Sequence, residues 1–161
     1  MCDGEYIMKS LIELDKNQRG CAGEYLVCGE MNKRGIIASL TIKNTKGIDI
    51  LGTNADASKS VGIQVKSTIH ERKSYPHWVL GEKSETYHSD TLFYVFVLLK
   101  EGTERPDFYI VPSKEVANHT KTTHDSWMEK GRAKGIEHNS KMRIFYDKDK
   151  KWLEKWNLLG L

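Results

Sequence analysis

Apolar positions along this chain recur with two different periods, and the points where the period changes divide it into elements. Ile7, Leu11 and Leu14 stand at helical spacing, which predicts a short N-terminal helix over residues 5–14, ahead of a polar break at 15–20. From Ala22 to about Lys33 the period is again helical: Glu24, Val27, Cys28 and Met31 stand at i, i+3, i+4 and i+7, so an acid sits inside an apolar stripe. Gly35 is placed to cap that helix. Ile36, Ala38, Leu40 and Ile42 then alternate as one face of a first strand, Asn44 to Gly47 read as a turn, and residues 48–52 read as a second strand paired with the first. In this pairing Asp49 points away from Ile48 and Ile50.

A third strand follows over residues 61–66, with Val61, Ile63 and Val65 on one face and Gln64 and Lys66 projecting together from the other. Tyr75, Pro76, His77 and Trp78 are assigned to the loop after it. The unbroken run from Leu92 to Leu99 has the composition of a buried central strand, and 108–111 is another. Ser113 is the expected N-cap of a short helix over 114–118. Residues 120–140 are polar and poorly periodic and are read as a long loop, and 148–159 as a docking helix whose apolar face carries Trp152, Leu153, Trp156 and Leu159. The order of elements gives an α/β (α+β) class, a mixed central sheet flanked by helices.

The length of 161 residues and 39% hydrophobic content fit one domain, with a core over about 19–112 and a C-terminal basic loop and helix over 113–161. A formal charge of +3 is compatible with a polyanionic partner without requiring one. Three cysteines, Cys2, Cys21 and Cys28, are odd in number and lack metal-ligand spacing, so they are read as small packing residues in a reducing compartment. No apolar stretch approaches a membrane span, and a cytoplasmic protein without a membrane partner is expected. The six histidines show no tight pairing of the kind that holds zinc.

The chemistry suggested by these placements is hydrolysis of a phosphodiester. That reaction needs a hydroxide near neutral pH and positive charge where the phosphorane becomes negative, which a carboxylate-held Mg²⁺ or Mn²⁺ supplies. Asp49 offers a carboxylate, Gln64 an amide oxygen on the adjacent strand and Glu24 a second carboxylate from the helix, all hard oxygen ligands. Lys66 adds a cation on the same side as Gln64, able to orient water or stabilise the phosphorane. A structural ion pair between Asp49 and Lys66 is the plain alternative.

Asp49, a loop, and then Gln64-Val65-Lys66 resemble the signature of the PD-(D/E)XK nuclease superfamily. The segment Arg19-Gly20-Cys21-Ala22-Gly23-Glu24-Tyr25-Leu26-Val27 is similar to the first-helix motif of its Holliday-junction resolvases and Mrr-like enzymes. The resemblance covers residues 19–68 and implies a restriction-endonuclease-like fold. It also implies Asp49 as principal metal ligand, Glu24 as a direct or water-mediated ligand, Val65 as a backbone carbonyl ligand and Lys66 as the water-positioning cation. Gln64 departs from the usual Glu or Asp and removes one negative charge. The implied function is metal-dependent endonucleolysis, most naturally of DNA by a homodimer. An inactive binding module on the same fold is the alternative. Lys121, Trp127, Lys130, Arg132 and Lys134 are candidate contacts to nucleic acid, a mixture suited to phosphates and to stacking on a base. Tyr75, His77 and Trp78 are candidates to flank the substrate groove or to pack beneath a loop.

Overall fold

The computed structural model describes residues 9–42, 47–69, 71–72 and 75–161. The turn at Asn44 to Lys46, Cys2, and the start of the expected N-terminal helix lie outside them. Among the described residues the strands form two sheets, one of five strands and one of three. Helix α1 (Lys16–Lys33) leads into β1 (Ile37–Leu40), β2 (Ile50–Thr53) and β3 (Ser60–Thr68). Strands β4 (Glu71–Arg72) and β5 (Tyr75–Gly81) follow, then β6 (Leu92–Leu98), β7 (Asp107–Pro112), helix α2 (Ser113–Arg132) and β8 (Met142–Tyr146). The larger sheet has the order β1-β2-β3-β6-β7, with β3 and β6 parallel and its other neighbours antiparallel. The mixed sheet and flanking helices expected from the sequence are present.

Helix α1 starts earlier than its apolar period does. Asp15 caps it, accepting hydrogen bonds from the N–H groups of Asn17 and Gln18 at 2.7 and 2.9 Å, while the Gln18 side chain accepts from Asp15 N–H. The supposed polar break is therefore the first turn of α1, and among the described residues before it only Leu11–Glu13 is coiled, as a 3₁₀ turn. The end is as expected: Gly35 takes φ +82°, and Ile36 N–H returns to the Met31 carbonyl. Val27 and Met31 are fully buried against the sheet.

Strand β6 lies between β3 and β7 and is buried along its whole length, because both sheet faces are covered. On one face Val27, Ile50, Ile63, Val95 and Ile110 pack beneath α1, closed by Trp156 and Leu159. On the other, Trp78, Tyr94, Phe96, Tyr109, Val116 and Phe145 pack beneath α2 and the smaller sheet, β4-β5-β8.

Several expectations are corrected. Residues 75–78 are not a loop but the start of β5. Trp78 is a core residue there, donating its indole N–H to the Val97 carbonyl at 3.0 Å. Helix α2 runs 20 residues, so the expected loop over 120–140 is helical as far as Arg132. Its sequence hides this, because Thr120 and Thr123 are poor helix formers; both hydroxyls donate to carbonyls one turn back, and packing holds the helix. Ser113 is its first residue rather than its cap, and bonds to both backbone groups of Ser89. Strand β8 has no counterpart in the sequence reading. The tail is not one helix: Leu153 bridges to Tyr109, and only Trp156–Leu159 coils, as a 3₁₀ turn. Its apolar residues accordingly divide, Trp152 and Leu153 packing on one core and Trp156 and Leu159 in the other. Ile42 and Cys21 are exposed, not packed. No helix among the described residues is long and apolar enough to cross a membrane.

Candidate metal and phosphate site

Strands β2 and β3 part at Asp49, and this parting builds the site. Their ladder runs to the pair Ile50 and Ile63. Asp49 N–H then donates to the Ile63 carbonyl at 2.8 Å, and the Asp49 carboxylate, not a β2 carbonyl, accepts Val65 N–H at 2.7 Å. The Ile48 carbonyl is taken instead by the Thr41 hydroxyl at 2.7 Å. Ile48 lies against Gly62, on the face opposite to Ile50, so the two isoleucines do not share a face as the alternation implied. A strand N–H deprived of its ladder partner must be satisfied by a side chain, and Asp49 does so.

Within a strand the N–H and C=O of one residue point to the same side. Gly62 N–H and the Thr68 carbonyl bond toward β6, whereas the Ile63 carbonyl faces β2. The Val65 carbonyl therefore faces the edge that β2 has left, the same edge at which its N–H meets Asp49.

Gln64 and Lys66 project from the other face, as read from the sequence, and are half-buried. They line a cavity of about 680 Å³ with Gly47, Leu80, Glu82, Lys83, Tyr87, Tyr94 and Lys141 among its walls. Tyr94 is the register partner of Gln64 on β6. Burial, and then the negative fields of Tyr87 and Asp49, push its phenol up to about 12, so it is neutral in the neutral range. Asp49 thus acts electrostatically on a wall of the cavity that Gln64 and Lys66 share. Among the described residues no ion pair joins Asp49 to Lys66; the Asp49 carboxylate is engaged by Val65 N–H instead.

Glu24 is half-buried on α1. Its neighbour Gly23 packs so tightly on β3 that a Cβ there would collide with Ser67 Oγ, so the turn of α1 bearing Glu24 abuts the end of β3 that holds Val65 and Ser67. Ser67 Oγ is buried without a hydrogen-bond partner among the described residues. Glu24 on α1 and Gln64 on β3 stand on opposite faces of the sheet, with the Asp49 carboxylate and the Val65 backbone at the strand edge between them; carboxylates, an amide oxygen and a backbone carbonyl are hard-oxygen donors of the kind that Mg²⁺ or Mn²⁺ takes. No three His, Cys, Asp or Glu side chains cluster among the described residues; the donors named here include no thiolate or imidazole, the groups from which zinc sites are mostly built.

Four of the five candidate nucleic-acid contacts are on a helix instead of a loop. Lys121, Trp127, Lys130 and Arg132 stand on α2 and Lys134 in the turn after it, all exposed. Trp127 and Lys130 line a second groove of about 520 Å³ with Tyr75, His77, His124 and Tyr146; Lys121, Arg132 and Lys134 do not. Trp127 is exposed, with the His138 ring 3.8 Å and the His124 ring 5.5 Å from its own. Sequence reading missed Tyr94, Tyr87, Lys83 and Lys141. Only Tyr94 had a signal, a lone hydroxyl within an apolar strand.

No protein-family model matches the sequence, and no curated protein matches it. Solved structures do. The bacterial homing endonuclease I-Ssp6803I superposes with a TM-score of 0.53 at 16% identity, covering 91% of this chain and 92% of its own. Hjc, a Holliday junction resolvase from the archaeal hyperthermophile Archaeoglobus fulgidus, gives a TM-score of 0.43 at 14% identity over 78% of this chain and 82% of its own. In strands and helices this chain therefore has the fold of the I-Ssp6803I structure, a mixed sheet flanked by helices, as the sequence resemblance implied.

Proposed function

We propose that this chain is a Mg²⁺- or Mn²⁺-dependent endonuclease that hydrolyses phosphodiester bonds of nucleic acid, DNA in particular. The observation that carries this reading is the Asp49 carboxylate fixed on Val65 N–H where β2 leaves β3, with Gln64 and Lys66 on the flanking positions of the same strand. Asp49, Gln64, the Val65 carbonyl and Glu24 are the groups that would hold the ion. Bound there, the ion would lower the pKa of a water and offset charge on the reacting phosphate.

The chain's own residues supply the rest. Val65 N–H fixes the Asp49 carboxylate, so little conformational freedom is left to lose when a ligand arrives. Lys66, on a strand hydrogen-bonded to a buried neighbour, holds a cation against the cavity where it can orient a water and stabilise the phosphorane. Tyr94 stays protonated and adds a neutral donor to the same wall.

The test is cleavage of plasmid DNA by purified protein. The proposal expects nicked or linear product with Mg²⁺ or Mn²⁺, its loss on chelation, and a fall of about 10²–10³-fold or more in Lys66→Ala, the cost typical of removing a transition-state stabiliser. A second reading, a binding module without turnover, draws on Gln64 standing where a carboxylate is usual. It expects DNA affinity that is indifferent to chelator and no product with either metal. Cutting both strands of a duplex calls for two copies of one site, and the proposal includes a homodimer.

A further inference from the structure

The cavity that holds Gln64 and Lys66 has a second wall, and that wall is basic. Lys83 lies on the 3₁₀ turn Glu82–Glu85 and Lys141 immediately before β8; both line the cavity opposite β3, where Glu82 is the one carboxylate in the lining among the described residues. Lys66, Lys83 and Lys141 form no ion pair among the described residues. Among the described residues the ion-paired lysines and arginines lie elsewhere, at Lys33, Arg34, Lys100, Arg105 and Arg143. Three like charges facing one cavity repel each other at a cost that a ligand with repeated negative charge would relieve.

The two lysine-bearing segments are also tied to each other. Arg143, only 9% exposed, pairs with Glu85 of the 3₁₀ turn and donates to the Ser140 carbonyl at 3.1 Å. The Ser84 hydroxyl bonds to the Gly81 carbonyl at 2.8 Å and meets Thr120 of α2 at 3.4 Å. One buried guanidinium thus fastens the turn carrying Lys83 to the segment carrying Lys141, so the two ammonium groups are presented together instead of on independent loops. Both lysines are exposed, and neither stands on the strand that bears the metal-site residues, so their role is to hold charge, not to perform chemistry.

We infer that Lys83 and Lys141 form a phosphate-binding pair that grips the nucleic-acid backbone beside the phosphate presented to Asp49 and Lys66, an assignment that rests on the nuclease reading. Each lysine takes a non-bridging phosphate oxygen as a point charge, which makes the grip independent of sequence and sensitive to salt.

The experiment is fluorescence anisotropy of a labelled DNA duplex across a salt series, with Ca²⁺ present, using the full chain. Lys83→Ala/Lys141→Ala is expected to lower affinity and to flatten the slope of log K against log salt by about 2, roughly 0.9 for each phosphate that a lysine no longer neutralises. Lys83→Arg/Lys141→Arg should keep the wild-type slope. The charge-matched control Lys33→Ala/Lys155→Ala, remote from the cavity, should leave the slope alone. An unchanged affinity and slope in Lys83→Ala/Lys141→Ala overturns the pair even if the wild type cuts DNA, and so does a wild type that binds no duplex at any salt. A wild type that binds with the expected slope, and loses it in that variant, but never cuts with Mg²⁺ or Mn²⁺ leaves the pair standing and removes the nuclease reading.

Discussion

Asp49 carries two tasks that substitution can separate. Its carboxylate satisfies Val65 N–H, and it is the principal oxygen ligand of the proposed metal site. Asp49→Asn keeps an acceptor for that N–H, whereas Asp49→Ala leaves the N–H without one, which costs about 1–3 kcal/mol. Denaturant unfolding should therefore rank wild type and Asn close together and Ala below them, while both variants lose cleavage. Equal stability of Ala and wild type would show that the bond to Val65 contributes nothing. At this scale the sequence was legible wherever a residue belonged to a strict period: Gln64 and Lys66 fall on one face because Val61, Ile63 and Val65 fall on the other. Lys83 and Lys141 were not legible, since an exposed lysine in a polar stretch carries no period and only folding brings it to the cavity. The bond from Val65 to Asp49 was equally hidden, as it depends on where β2 leaves the ladder.

Among the elements, α1 and β6 were easy to place and α2 was not. Strand β6 announces itself because a strand covered on both faces is apolar throughout. Helix α2 buries mostly small or polar residues, Ser113, Val116, Ala117, Thr120 and Gly131, so no run of large apolar side chains marks its buried face. Strand β5 contains Pro76, which in a sequence reads as a break, and β8 alternates over only five residues. The packing of α2 on β8 yields a pH dependence. His119 packs on Phe145 and Tyr146 at ring distances of 4.8 and 4.6 Å. Burial holds its imidazole below the ordinary value, with Asp147 opposing more weakly. A histidine whose folded pKa is depressed favours the folded state fully above its unfolded value, about 6.5, and that contribution is lost as pH falls through the folded value. Unfolding by urea across this range should show stability declining on acidification, and His119→Phe should flatten that decline. An identical acid limb in the variant would place the sensitivity elsewhere.

The whole molecule is two cores back to back on one sheet, and the C-terminal tail serves both. Glu154 accepts from Arg105 and Arg34, and both arginines also reach Glu30 of α1. The Arg34 guanidinium lies 4.6 Å from the Trp156 ring centre. The spacing of the tail marks a clamp correctly and a helix wrongly, because Trp152, Leu153, Trp156 and Leu159 have helical spacing but satisfy two different cores. The resemblance at residues 19–68 was legible since the carboxylates and lysine of the proposed site all come from that stretch. The wall opposite comes from residues 80–87 and 141, where no motif exists to read. At this scale the proposed homodimer is open to light scattering: a mass twice 18.5 kDa at cleavage-active concentration is expected, and the single-chain mass would remove it.

Whether groups from three separate segments, α1, the stretch before β2 and β3, share one divalent ion is decided by anomalous diffraction from crystals grown with Mn²⁺. A single anomalous peak is expected, bonded to the Asp49 carboxylate and the Val65 carbonyl, with Gln64 or Glu24 completing the protein ligands directly or through water, and no such peak in Asp49→Asn. A peak that avoids Asp49, or none at a Mn²⁺ concentration that supports cleavage, would contradict it.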